Sequence, residues 1–89
     1  MYSVNPTPHS IAQELAERHK VLRKQMKLSQ ADMAERAGVS LGSLKRFEST
    51  GQISLDSLLR LAHLLGRLED FKPVLEVDED MERIEKLFR

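Results

Sequence analysis

Residues 29–48 carry closely spaced signals for the end of one helix and the start of another. Ser29 can accept a hydrogen bond from a backbone N–H at a helix start, and Asp32 places a carboxylate in the first turn of that helix. Gly38 suits the left-handed conformation that ends a helix, and Ser40 can cap another helix two residues later. The segment therefore predicts two short helices that meet across a tight turn.

Apolar residues recur at helical spacing along most of the chain, which predicts a mainly α-helical domain. Alternating polarity appears only at Val74–Val77, where a short strand is one interpretation. Thr7 and Pro8 have the residue types of an N-cap and a first helical position. The first predicted helix covers residues 8–25, and two short helices follow on either side of Gly38, the second over about 41–48. A fourth helix starts after Ser54 and ends before Gly66. A short turn at 68–71 and an amphipathic segment at 78–88 complete the prediction.

The helical periodicity also predicts which side chains turn inward. The expected contacts of the first helix are Ile11, Leu15, Leu22 and Met26; those of the central segment are Met33, Ala34, Val39, Leu44 and Phe47; those of the fourth helix are Leu55, Leu58, Leu59, Leu61, Ala62 and Leu65. The fourth helix is the expected centre of packing.

The chain has 89 residues, which fits one domain. It lacks cysteine, which excludes disulfides and thiolate zinc sites and makes the cytoplasm the default compartment. No apolar run reaches the roughly 18 residues of a membrane helix, and the first ten residues do not resemble a signal peptide. We predict an N-terminal arm at residues 1–7, a helical domain at 8–72 and an acidic extension at 73–89.

The formal net charge is zero, but the charges are unevenly distributed. Residues 1–53 hold eight basic and five acidic groups, a balance of +3, and the remainder has a balance of −3. Residues 76–85 contain six carboxylates and a single arginine. This asymmetry suggests one half that faces a polyanion and an acidic tail, with two ordinary solvated faces as the alternative.

Small Ala34, Gly38, Val39 at the corner, capping Ser40 and Leu44 have the spacing of a helix-turn-helix. Together with flanking matches, this pattern resembles the Cro/repressor-like (XRE) family of helix-turn-helix regulators over roughly residues 15–66. The resemblance implies an all-α, five-helix bundle that binds duplex DNA. It also implies a buried ion pair between Arg23 and Glu48.

The resemblance further assigns a DNA face to this chain. Arg46 is the candidate for reading a guanine, and Lys27 and Lys45 are candidates for phosphate contacts, with solvated lysines as the alternative. The sequence departs from the family pattern at Leu41 and Gly42, where many relatives place polar side chains. The predicted DNA-binding residues are Ser29, Gln30, Ser40, Leu41, Gly42, Ser43, Lys45, Arg46, Thr50, Gly51 and Gln52.

Two kinds of chemistry are not indicated by the residues. The three histidines are too far apart in sequence to suggest a metal site, and His19 falls on the packing side of the first helix. No phosphate-binding glycine loop or nucleophilic triad is present, so we predict no enzyme, metal or cofactor.

We predict a dimeric repressor that binds an operator made of two symmetry-related half-sites. One recognition helix contacts too few bases to distinguish its operator from other DNA. The candidate dimer or partner residues lie in the last quarter of the chain: Leu68, Phe71, Val74, Leu75, Val77, Met81, Ile84, Leu87 and Phe88. A weaker resemblance is to HipB-like antitoxins, the DNA-binding partners of HipA-type kinase toxins. The competing hypothesis is a protein-interaction module without specific DNA readout, because fold alone does not decide function.

Overall fold

The computed structural model describes residues 5–78 and 85–87 of the chain. Its helices are α1 (Pro8–Gln25), α2 (Gln30–Ala37), α3 (Leu41–Thr50) and α4 (Leu55–Leu64), followed by the 3₁₀ helix Leu68–Phe71. The described residues contain no strand, which agrees with the predicted all-α, five-helix bundle.

Each α-helix begins at a predicted polar cap. The side chains of Thr7, Ser29, Ser40 and Ser54 each accept a hydrogen bond from the backbone N–H three residues further on. Such caps satisfy N–H groups that have no partner within the helix. Gly38 ends α2 with φ of 73°, as predicted, and α3 extends two residues beyond the predicted Glu48 before Gly51 ends it.

The core lies where α3 packs between α1 and α2, and where α2 packs against α4. The largest fully buried side chains are Met33, Leu44, Phe47 and Leu61. All four were predicted to point inward. Leu55 was also predicted to pack but is 67% exposed, because it is the first residue of α4 and lies at the edge of the bundle.

The predicted apolar face of α1 is partly wrong. Ile11 and Met26 are 43% and 44% exposed, whereas the buried residues of α1 are Ala16, His19 and Arg23. The polar side chains are buried because they bond to a carboxylate from α3, which compensates for their lost hydration. The apolar residues flank this polar centre.

The predicted strand at Val74–Val77 is wrong. Residues 72–75 form turns, and residues 76–78 have no regular structure. Leu75 has φ of 60°, a left-handed value that an extended strand excludes. Of the predicted amphipathic segment, residues 85–87 are helical; Met81, Ile84 and Phe88 lie outside the described residues.

Candidate nucleic-acid interface

Helix α3 divides sharply between a packed face and a solvent face. Leu44 and Phe47 are 0% and 1% exposed and fix the helix to the core. The solvent face starts at the N-terminus of the helix, where several predicted DNA-binding residues lie. Ser40, Leu41, Gly42, Lys45 and Arg46 are exposed there, and Ser43 is half-buried. The start of α3 can therefore be approached by a large ligand.

The serines at the two helix starts are engaged as caps. The Ser29 hydroxyl accepts from the backbone N–H of Asp32 at 3.0 Å. The Ser40 hydroxyl accepts from the backbone N–H of Ser43 at 3.1 Å and donates to the Ser43 hydroxyl at 2.8 Å. In these bonds the Ser29 and Ser43 hydroxyls act only as acceptors. Each therefore keeps a proton that it can donate to a phosphate oxygen.

The loop after α3 folds back against the exposed side of that helix. Arg46 donates a hydrogen bond from Nη2 to Oε1 of Gln52. The Thr50 hydroxyl donates to the Arg46 carbonyl at 2.7 Å and accepts from the Gln52 backbone N–H at 3.1 Å. Three predicted DNA-binding residues thus lie on one small surface, although they come from a helix and a loop.

Gly51 holds this loop close to α1. Its φ is 83°, and a Cβ at this position would lie 2.9 Å from the carbonyl carbon of Ala12. A side chain here would therefore collide with backbone as well as force an unfavourable dihedral angle.

Arg23 and Glu48 form a buried bidentate pair between α1 and α3. Nε and Nη2 of Arg23 donate to the two Glu48 carboxylate oxygens at 2.8 and 2.9 Å. Nη1 donates to the Leu28 carbonyl at 2.8 Å, and the two side chains are 8% and 4% exposed. The paired geometry and the third bond satisfy most of the guanidinium, as a buried charge requires.

Sequence reasoning missed two further members of this cluster. Nδ1 of His19 lies 2.9 Å from Oε2 of Glu48, and Nε2 of Gln30 donates to Oε1 at 3.0 Å. The His19 ring also meets Phe47 edge to face, with ring centres 5.5 Å apart. The i, i+4 spacing of His19 and Arg23 on α1 was a usable signal, because such residues share a helix face.

The environment lowers the pKa of both His19 and Glu48. Burial lowers the pKa of His19 and outweighs the nearby Glu48 carboxylate, which raises it. Burial alone would raise the pKa of Glu48, but hydrogen bonds from Arg23 and Gln30 and the adjacent positive charge bring it below its ordinary value. Because a carboxylate only accepts hydrogen bonds, Nδ1 of His19 donates to Glu48, and Nε2 is buried with no hydrogen-bond partner among the described residues.

The predicted dimer or partner residues that the structure describes are mostly exposed. Leu68 is 40%, Val74 59%, Leu75 96%, Val77 71% and Leu87 80% exposed, whereas Phe71 is half-buried. They therefore contribute little to the core of the single chain.

We also searched the part of the chain that the structure describes for metal sites and for membrane-spanning helices. Residues 5–78 and 85–87 contain no group of three or more acidic or histidine side chains that could hold a metal ion. Among the same residues, no helix has both the length and the apolar character needed to cross a membrane.

Comparison with known proteins identifies the fold independently of these contacts. A family model described as helix-turn-helix matches residues 20–71, more than half of the chain. This match covers α2, the tight turn, α3, α4 and the 3₁₀ helix, together with residues 20–25 at the end of α1. A search of curated proteins and a search of solved structures gave no match.

The family match, the Gly38 turn and the exposed start of α3 agree with one another. The chain therefore belongs to the helix-turn-helix family of the Cro/repressor-like (XRE) type and carries a DNA-binding domain of the kind found in transcription regulators.

Proposed function

We propose that this protein is a sequence-specific regulator that binds duplex DNA as a dimer and represses transcription by occluding a promoter. The observation that carries the proposal is the division of α3, whose buried side anchors it while its exposed start presents polar and basic groups. A helix held in this way is suited to enter the major groove.

Arg46 is the proposed base-reading residue. Its guanidinium has five N–H donors, and Gln52 occupies only part of that capacity. Two of the remaining donors suffice for the N7 and O6 acceptors of a guanine. Because Gln52 lies against Arg46, it supports the orientation of the guanidinium before DNA binds.

The other candidate contacts are proposed to bind the DNA backbone. The Ser29 and Ser40 caps leave the N-termini of α2 and α3 exposed, and helix N-termini favour anions. Lys27, in the turn before α2, and Lys45, on α3, are exposed cations. Such contacts position a protein on the duplex without reading sequence.

The test begins with selection of bound sequences from a randomised duplex library, followed by fluorescence anisotropy on the selected duplex and a scrambled one. We expect a clear preference for the selected duplex and a steep loss of affinity as salt rises. Arg46→Ala should reduce the preference by roughly 1–3 kcal/mol. Arg60→Ala is the matched control, because Arg60 is also an exposed arginine but pairs with Asp56 on α4.

The outcomes separate the parts of the proposal. If the library yields no enriched sequence, specific DNA recognition is refuted. If the selected duplex is preferred equally by wild type and Arg46→Ala, another residue reads the bases.

The proposed dimer interface is the exposed apolar surface of the C-terminal extension. Val74, Leu75 and Val77 expose more than half of their surfaces to water in the single chain. A second copy would bury these side chains and bring two recognition helices to one operator. Light scattering should give the mass of a dimer at micromolar concentration.

Substitution identifies the surface that forms the dimer. Val74→Asp should yield monomers, whereas Leu55→Asp should not, although Leu55 is a similarly exposed apolar residue outside the extension. A wild-type monomer both free and on DNA would overturn the dimer proposal.

The second candidate function is that of an antitoxin, in which the extension binds and neutralises a partner protein such as a HipA-type kinase. The supporting observation is that the exposed apolar residues of the extension adjoin a segment with six carboxylates in ten residues. A partner with a basic, partly apolar cleft would suit this segment. A chain that bound such a partner but showed no salt-sensitive, specific DNA complex would be an interaction module only.

A further inference from the structure

We propose that a basic cleft between α2 and α4 binds the acidic segment of a second copy, residues 76–85, so that two chains exchange these segments when they dimerise. The inference rests on the proposed function, because it takes the dimer from there and names the surface that receives the extension. It assigns a task to side chains that the candidate nucleic-acid interface does not use.

The α2–α4 cleft lies where the last turn of α2 packs against the second half of α4. Its volume is about 390 Å³, and the residues that line it are Arg36, Ala37, Arg60, His63 and Leu64. The three residues with polar side chains are exposed, whereas Ala37 and Leu64 are half-buried. No predicted DNA-binding residue lines the cleft. The chain therefore carries a basic, partly apolar site of the kind that its own acidic segment requires.

Arg60 reaches across the cleft from α4 towards the end of α2. Its Nε donates to Oδ2 of Asp56 at 2.9 Å. A Cβ at Gly38 would lie 3.3 Å from Nη1 of Arg60, so the guanidinium lies against the turn that ends α2. The bond to Asp56 uses one of the five N–H donors of the guanidinium. Arg60 therefore retains donors for a second carboxylate.

Arg36 brings a second guanidinium to the cleft from α2. Among the described residues this guanidinium has no hydrogen bond or ion pair, although Asp32 lies one turn earlier on the same helix. With Asp56 set against the two arginines, the cleft has an excess of one positive charge before His63 is counted. Two guanidiniums from different helices suit a ligand that carries several carboxylates.

The acidic segment has the complementary charge. Residues 76–85 hold six carboxylates and one arginine, a balance of −5. Val74 and Val77 are 59% and 71% exposed, so in the single chain they pack little on their own domain. On a second copy these apolar side chains can contact Ala37 and Leu64 while the carboxylates meet the two arginines. Two-fold symmetry makes the exchange reciprocal, and each contact then occurs twice.

Charge pairing gives the dimer a salt dependence that an apolar interface lacks. Exposed charges are screened as ionic strength rises, since the Debye length falls from about 10 Å at 0.1 M to about 3 Å at 1 M. Burial of apolar surface alone is not weakened by screening. The dissociation constant of the dimer should therefore rise at least about tenfold over this range of sodium chloride concentration.

The first experiment reverses the charge of the cleft in the full chain. In the variant Arg36→Glu with Arg60→Glu, the dimer dissociation constant from sedimentation equilibrium should rise at least about tenfold, because attraction becomes repulsion. Arg18→Glu with Lys24→Glu is the matched control, because both residues are exposed on α1 outside the cleft and the net charge changes equally. Far-UV circular dichroism checks that each variant is folded.

The outcomes separate this inference from the proposed dimer. A wild-type dimer that the cleft reversal leaves unchanged would overturn the inference alone, and that result is also expected if the segment binds the cleft of its own chain. A wild-type monomer would overturn both. A cleft variant that stays dimeric but binds DNA more weakly, with a shallower salt slope, would show that the arginines contact phosphate instead.

The single variant Arg60→Ala should behave differently from the cleft reversal. It retains Arg36 and introduces no repulsion, and one exposed ion pair contributes little. The dissociation constant should therefore rise only a few-fold, so this variant remains usable as the control of the DNA-binding experiment.

The second experiment identifies the occupant of the cleft. The variant Glu79→Lys with Asp80→Lys and Glu82→Lys changes the segment from −5 to +1 and should weaken the dimer as the cleft reversal does. A mixture of this variant with the cleft variant should form a heterodimer, because each segment then meets a cleft of opposite charge. A mixture that stays monomeric at concentrations where the wild type is dimeric would overturn the inference, and so would a segment variant that dimerises as the wild type does.

Discussion

The buried Arg23–Glu48 pair gives the strongest prediction on stability. Replacing Glu48 with leucine would leave the Arg23 guanidinium with only the Leu28 carbonyl, and His19 and Gln30 would each lose an acceptor. Breaking a buried pair by removing one partner costs about 3–5 kcal/mol. Since a domain has roughly 5–15 kcal/mol of stability in total, the loss would be a large part of it.

Removing both charges should cost less. In the double variant Arg23→Met with Glu48→Leu, no buried charge remains, and the main residual penalty is the unsatisfied His19 ring. We expect the double variant to recover at least about 2 kcal/mol of what Glu48→Leu alone loses. If the double variant is more stable than Glu48→Leu alone, the loss in the single variant comes from an unpaired buried charge. If the double variant is less stable, the loss comes from removed packing.

Urea unfolding followed by far-UV circular dichroism measures these differences as changes in the free energy of unfolding. Asp56→Ala is the control, because the Arg60–Asp56 pair has a similar distance of 2.9 Å but side chains that are 55% and 76% exposed. That variant should lose less than about 0.5 kcal/mol. A loss below about 1 kcal/mol in Glu48→Leu would refute the argument that the pair is buried and essential.

Three further predictions follow from the same structure. The lowered pKa of His19 means that the unfolded chain binds a proton more readily, so stability should fall as pH drops below about 6.5. His19→Gln should flatten that slope in urea unfolding, and an unchanged slope would contradict the assignment. Gly51→Ala should destabilise more than Gly66→Ala, because both glycines have positive φ but only at Gly51 would a Cβ collide with backbone; equal losses in thermal unfolding would remove the steric argument. Gly42→Ala should stabilise the fold by up to about 1 kcal/mol, since its Cβ meets nothing within 4 Å; weaker DNA binding by this more stable variant would show that the helix backbone approaches the duplex closely.

The sequence was most informative where local chemistry decides the structure. Serine caps, the glycine at φ of 73° and the inward residues of α2 and α3 each follow from short-range rules, and all were predicted at the observed positions. Helix starts and tight turns depend on a few neighbouring residues, so one sequence is enough to place them.

The errors arose where long-range partners decide the outcome. The apolar periodicity of α1 pointed to Ile11 and Met26, but a carboxylate from α3, 25 residues beyond Arg23, makes polar residues the buried ones. The apolar pattern of α1 does not contain that information, whereas the i, i+4 spacing of His19 and Arg23 and the resemblance that implied the buried Arg23–Glu48 pair do. The strand at Val74–Val77 failed similarly, because alternation within four residues says nothing of a partner strand.

The neutral net charge of the chain makes well-placed hydrogen bonds more important than they are in strongly basic DNA-binding proteins. Non-specific affinity for DNA comes from neutralised phosphates, and here the excess of three positive charges in residues 1–53 is matched by an equal acidic excess in the remainder. The electrostatic attraction is therefore weak at a distance. Recognition must depend on contacts made at short range, and these gain most from groups already held in the binding orientation. In the proposed function, Gln30, bound to Glu48, and Arg46, bound to Gln52, are two such groups. A low net charge lowers the non-specific affinity of such a regulator more than its specific affinity. The ratio of specific to non-specific affinity therefore rises, and this ratio decides how often one operator is occupied among many competing sites.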